Sequence, residues 1–167
     1  MKAKNPSQQQ LNYLLEHYKN RRFNEAEKLA VHITKAFPKH QFAWQVLGAV
    51  LGTTGRKSDA VVANQTAVVL SPQDAAAHSN LGKSFQELGR LEEALASYKQ
   101  AIPLKPEFAD AQYNMGVLLQ ELGRLEEALA SYTQAITLKP EFVGAHLNLG
   151  VILQELGRLE EALASYT

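Results

Sequence analysis

The side chains in this chain that could do chemistry are few, and their spacing decides what each could do. Five histidines are present, at His17, His32, His40, His78 and His146. A helical metal site needs ligands three or four residues apart, on one face. No two histidines have that spacing, so they read as packing or solvent-facing residues and no metal is expected. Paired glutamates recur at Glu92–Glu93, Glu126–Glu127 and Glu160–Glu161. Adjacent helical residues point in different directions, so these are no acid–base pair. No nucleophile, base and orienting group converge, and the glycines are too far apart to cradle a phosphate. The expectation is a non-enzyme without cofactors. What remains is a set of asparagines, Asn80, Asn114 and Asn148, spaced 34 residues apart. An amide offers donors and an acceptor together, so it can pair with both groups of a peptide backbone.

Composition narrows the partners. The 167 residues are 46% apolar and 20% charged, which suits a chain that buries a core. Seventeen basic residues balance seventeen acidic ones, whereas nucleic-acid binders carry a basic excess, so nucleic acid is not an expected partner. There is no cysteine and hence neither disulfide nor thiolate metal site. The start MKAKNPSQQQ lacks an apolar signal core, and no stretch has the ~18 apolar residues of a membrane span. These features predict a soluble, cytoplasmic protein with no membrane partner.

The elements that position the asparagines follow from the same period. QELGRLEEALASY is written three times, starting at residues 86, 120 and 154. Blocks of 34 give 7–40, 41–74, 75–108, 109–142 and an incomplete 143–167, after a tail at 1–6. Columns of Gly55, Gly89, Gly123 and Gly157, of Ala26, Ala60, Ala94, Ala128 and Ala162, and of Pro38, Pro72, Pro106 and Pro140 run down them. Each block reads as two helices. In the third, Ala77, Leu81, Phe85 and Leu88 recur at helical spacing, as do Leu91, Ala94, Leu95 and Tyr98. Gly89 between them suits the left-handed residue that ends a helix, and Pro106 forbids continuation of the second. Glutamates in the first turn and Lys105 near the end complement the helix dipole. Helices this short are marginal alone, so the array is the folding unit.

Trp44, Leu47, Gly48, Gly55, Ala60, Ala67 and Pro72, with their counterparts in blocks three to five, resemble the tetratricopeptide repeat pattern from about Ser7 to the end. The resemblance implies an all-α solenoid of antiparallel helix pairs, a right-handed superhelix whose first helices line a concave groove. Block one departs from it, with Leu14 in the column of Gly48, Gly82, Gly116 and Gly150 and Ala30 in the column of Tyr98, Tyr132 and Tyr166, an exchange of volume across one helix pair. Its polar first helix suits an N-terminal cap. Block two has Asn64 in the tyrosine column. Pro103 removes one backbone donor from the last turn of its helix and bends it.

If Ala77, Leu81 and Phe85 face the core, the opposite stripe, Ala76, Ser79, Asn80, Lys83, Gln86 and Glu87, lines the groove. Blocks three and four differ mostly in this first helix, as a scaffold with variable contacts would. The asparagine column would hold an extended peptide or partner helix, with Tyr113, Val117, Leu147 and Val151 adding apolar contact. The asparagines could equally bridge neighbouring helices. Lys83 is the one groove lysine, too few for the carboxylate clamp of chaperone-binding repeats, and the column Glu87, Glu121 and Glu155 repels acidic ligands. The function expected is a non-catalytic protein-interaction scaffold. Two alternatives stand beside it. The asparagine column is similar to that of O-linked N-acetylglucosamine transferases, which makes the chain a substrate-recognition arm of a larger glycosyltransferase-like enzyme. By the period, block five should run to residue 176, and its open face would support self-association.

Overall fold

The computed structural model describes residues 5–165, and these are helical with no strand. Ten helices follow in order: α1 (Gln8–Lys19), α2 (Phe23–Ala36), α3 (Gln41–Thr53), α4 (Lys57–Leu70), α5 (Ala75–Glu87), α6 (Leu91–Leu104), α7 (Ala109–Glu121), α8 (Leu125–Leu138), α9 (Val143–Glu155) and α10 (Leu159–Ser165). They are grouped in two compact units, Met1–Arg90 and Leu91–Thr167. Tyr166 and Thr167, which end the third copy of the repeated stretch and the fifth block, lie outside the described residues, as do residues 1–4 of the tail.

The first unit starts from a capping box. The Ser7 hydroxyl accepts from the Gln10 N–H at 3.2 Å, and the Ser7 N–H donates to the Gln10 side chain at 2.9 Å, satisfying two donors that a helix start leaves open. Successive helices α1 to α5 pack on one another, and α3 also touches α1 and α5. Leu14, Ala26, Ala30, Ile33, Leu47, Val50 and Ala60 share one core. The exchange expected in block one is seen there, with Leu14 and Ala30 both fully buried.

Each hairpin turn ends its first helix in the same way. Gly55 and Gly89 have φ of +83° and +73°. Beyond Gly89, the Arg90 N–H reaches back to the Phe85 carbonyl at 2.9 Å, the six-to-one bond that closes a helix C-terminus. Block one makes the same turn with Arg21 at φ 58°, without glycine's freedom.

Asp74 ties the second repeat to the third. It caps α5, its Oδ1 accepting from the Ala76 and Ala77 N–H groups at 2.8 and 3.3 Å, while its Oδ2 accepts from the Gln41 and Gln45 amides of α3. Burial pushes its carboxyl up, but those four hydrogen bonds together outweigh burial and hold it below its ordinary value. A depressed carboxyl contributes stability above its unfolded pKa and loses it as pH falls through the folded one. Asp74→Ala is therefore expected to cost about 1–2 kcal/mol at neutral pH. In urea unfolding the gap from wild type should close as pH falls through the depressed folded pKa of Asp74.

In the second unit, α6 to α10 pack successively and α7 also touches α9. Tyr132, Ala128, Ala135, Leu119, Ala145 and Ile152 form its core. Gly123 and Gly157 (φ +70° and +73°) make the turns, and the Arg124 and Arg158 N–H groups bond the Leu119 and Leu153 carbonyls. Pro103 is accommodated inside α6, which continues to Leu104.

Candidate functional site

The repeated GRLEE segment has a local structural role. The Arg124 guanidinium grips Glu127 through two hydrogen bonds of 2.7 and 2.6 Å, and Arg158 holds Glu161 at 2.7 Å through both. Those hydrogen bonds hold both carboxyls below their ordinary range. Glu127 and Glu161 therefore do more than face the dipole, and the arginine three residues earlier was the signal for it. Arg56 does the same in block two, bonding both Asp59 at 2.7 Å and Glu27 of α2 at 2.5 Å.

Two of the histidines are structural. His78 Nε2 bonds the Pro72 carbonyl at 2.9 Å and His146 Nε2 the Pro140 carbonyl at 2.8 Å. Trp44, in the same column, donates from its indole to the Pro38 carbonyl at 2.8 Å. These three residues latch α3, α5 and α9 to the loops before them. Among the described residues no group of acidic and histidine side chains could hold a metal ion.

The residues of the second unit expected to line the groove lie on α7 and α9, which touch. Asn148 lies between two tyrosines and spends both amide hydrogens on them, donating to the Tyr132 hydroxyl at 3.2 Å and the Tyr113 hydroxyl at 3.4 Å. Tyr132 passes the chain on, its hydroxyl donating to the Gln120 side chain at 3.1 Å. Its phenol is pushed up to about 12 by burial, which the Asn148 hydrogen bond only partly offsets. Asn148 thus bridges neighbouring helices, and what it keeps for a ligand is its carbonyl oxygen. The Tyr113 ring packs 4.7 Å from that of Phe142 and 5.8 Å from that of Tyr132. Gly144 makes room for it, since a Cβ there would stand 3.3 Å from the Tyr113 hydroxyl. No hydrogen bond to the Asn114 amide is found among the described residues.

Leu147 and Val151 are exposed, and Val143, four residues before Leu147, is 67% exposed. The three make an apolar stripe along one face of α9. Val143 was missed in the sequence, although its four-residue spacing was the signal. Val117 and Tyr113 are half-buried beside α9, and Glu121 and Glu155 are exposed at the C-terminal ends of α7 and α9.

In the first unit the residues expected to line the groove include Asn80, Lys83 and Glu87 on α5. Lys83 and Glu87 form a loose pair at 4.0 Å. Ser79, expected to line the groove, is buried with 4% exposure, because it lies toward the packed side of α5. Variation between blocks three and four is not confined to the groove either. Ser84 and Phe85 are buried, as are their counterparts Leu118 and Leu119, so the core side of the helix changes too. Ser84 varies for a reason: it accepts a 2.8 Å hydrogen bond from the Asn64 amide of α4. Asn64 lies across Gly48, where a Cβ would stand 2.6 Å from its Cγ. Beside it opens a cavity of about 80 Å³ lined by Tyr18, Gly48, Gly52, Asn64, Asn80 and Glu87 among others.

Known proteins can now be set against this geometry. The tetratricopeptide repeat family model matches residues 83–123 and 118–157. Residues 83–157 thus match tetratricopeptide repeats, and the chain has the helix-pair fold of tetratricopeptide proteins. Among solved structures it is similar to TTC0263, a thermophilic tetratricopeptide protein of Thermus thermophilus, with 26% identity over 95% of this chain and 87% of that one, at a TM-score of 0.82. It is similar to MamA, with 25% identity over 90% and 88% of the two chains and a TM-score of 0.80. It shares its fold with YrrB, a tetratricopeptide protein with an unusual peptide-binding site, at 19% identity over 96% and 82% of the chains and a TM-score of 0.72. No curated protein matches the chain by sequence. No helix among the described residues is long and apolar enough to cross a membrane.

Proposed function

We propose that the chain is a non-catalytic scaffold that binds an extended peptide or a partner helix along the faces of its first-of-pair helices. Tetratricopeptide repeats are generally protein-interaction scaffolds. The observation that carries the finer reading is the stripe Val143, Leu147 and Val151, which leaves large apolar side chains in water beside the half-buried Tyr113 and Val117. A partner that covers the stripe removes that surface from water. The Asn148 carbonyl next to it accepts a backbone N–H of the partner and Asn114 on α7 offers a whole amide, as Asn80 does by itself on the first unit. Glu121 and Glu155 at the end of the stripe favour a segment with basic residues there. YrrB, with its unusual peptide-binding site, is a precedent for the same fold binding a peptide.

The test is a random peptide library titrated against the wild type, an Asn80→Ala/Asn114→Ala/Asn148→Ala variant and a Leu147→Ser/Val151→Ser variant. The serine variant changes only exposed positions and should keep its fold while weakening selected peptides about tenfold or more, the effect of one well-buried apolar side chain. The triple alanine variant should weaken them further. Equal binding by all three proteins would remove both the stripe and the asparagines from the mechanism.

A further inference from the structure

The cavity beside Asn64 exists because block two lacks two side chains that the later repeats have. In the second unit Tyr132 lies over Gly116 and its hydroxyl meets Gln120 and Asn148. At the same places in the first unit stand Asn64 over Gly48, with Gly52 in the glutamine column and Asn80 in the asparagine column. A tyrosine is shortened to an asparagine and a glutamine to a glycine, and the volume they would fill is open. Its walls are polar. The Asn64 amide donates to Ser84, but its carbonyl oxygen is buried without any hydrogen-bond partner. Glu87 leans over Gly52, where a Cβ would stand 3.2 Å from its Oε2. Its other oxygen holds Lys83 only loosely, at 4.0 Å, and the Lys83 side chain is 67% exposed.

Two acceptors therefore face the strip above Gly48 and Gly52, and one of them is charged. Residues four apart on a helix place that strip's two ends about 5–6 Å apart. This is within the span of one guanidinium, whose donors form a planar fork. A turn of Asn64 about its broad χ2 torsion, in exchange for its hydrogen bond to Ser84, offers its carbonyl to the cavity. A neutral amide or water could meet Asn64, but neither would use the Glu87 charge, and an anion would be repelled by it.

We propose that this cavity is a subsite for a cationic side chain, arginine above lysine, with Glu87 as its counter-ion and Asn64 as its second acceptor. Lys83 is the competitor that the ligand displaces. The site stands on the cavity's own geometry and rests on the groove reading only in assigning the cation to a bound peptide.

The experiment uses small probes on the whole chain, followed by amide NMR: propylguanidinium, the neutral isostere propylurea, and propionate. Propylguanidinium should shift the Gly48, Gly52 and Glu87 amides and the Asn64 side-chain NH₂, with the other two much weaker. Glu87→Gln should weaken it about tenfold, the scale of a lost charge-assisted hydrogen bond, and Lys83→Gln should strengthen it. Asn64→Tyr, which restores the repeat residue and fills the cavity, should abolish the shifts. Equal shifts by propylurea, preference for propionate with loss in Lys83→Gln, undiminished binding to Asn64→Tyr, or no shift by any probe would each overturn the proposal. Failure of the groove reading looks different, as a library with no binding peptide while the guanidinium still shifts these amides. Selected peptides that bind but carry neither arginine nor lysine would overturn the assignment to a peptide side chain.

Discussion

Tyr132→Ala should destabilise the second unit by about 3–5 kcal/mol, the cost of removing a large buried aromatic side chain. Tyr132 is fully buried, its ring covers Gly116, and its hydroxyl joins Asn148 of the next repeat to Gln120. Truncation leaves a void at the junction of three helices and takes one partner from each amide. Urea unfolding followed by circular dichroism measures the loss. Tyr132→Phe separates the two parts of it. The ring stays, Asn148 keeps the Tyr113 hydroxyl, and the cost should fall to about 1–3 kcal/mol, that of the two hydrogen bonds the Tyr132 hydroxyl makes. The phenol also sets a pH dependence. Its folded pKa is raised to about 12 from 10.0, so its stabilisation is complete below the unfolded value and fades as pH rises through the folded one. The Phe variant should lack that component of the alkaline loss.

Gly116→Leu should be nearly as damaging, and its rescue more informative. A Cβ at Gly116 would stand 2.7 Å from the Tyr132 ring, inside contact distance, and the rest of a leucine would need the space the ring occupies. Overpacking of this kind costs about 1–3 kcal/mol, and more where the neighbour cannot move. Block one, however, carries leucine and alanine at these two places, with Leu14 and Ala30 both buried without exposure in one core. The double variant Gly116→Leu/Tyr132→Ala should therefore be more stable than the sum of its single changes by about 0.5–3 kcal/mol, the range of coupling between residues in contact. Additive losses would mean that the helix pair of block one has a different spacing, and that volume alone does not set it.

The two variants also show why the copied stretch is copied. Most of QELGRLEEALASY is turn and packing: the glycine in the left-handed region, the arginine–glutamate clip, the alanine and the tyrosine. The glutamine at its head is drawn into the tyrosine network at Gln120, and the glutamate that follows is exposed at Glu121. Differences between repeats at the tyrosine, glutamine and glycine columns change local volume, and volume decides whether the repeat is filled, as at Tyr132, or hollow, as at Asn64.

The sequence by itself determined the period, the helix pairs, the turn glycines and the volume exchange in block one. Each of these is local or repeats at a constant interval, so a column of residue types is enough to show it. Only the tertiary structure decided which atoms are left over. Asn148 could be a ligand contact or a helix bridge from its column alone, and it proved to give both amide hydrogens to tyrosines in two earlier helices, 16 and 35 residues away. Ser79 turned inward and Val143 outward because the edge of a helix's buried face is set by its neighbours, and periodicity alone does not locate it. The Asn64 cavity is a difference between repeats at two columns at once, and it becomes a polar site only where α3, α4 and α5 bring Gly52, Asn64 and Glu87 to the same place.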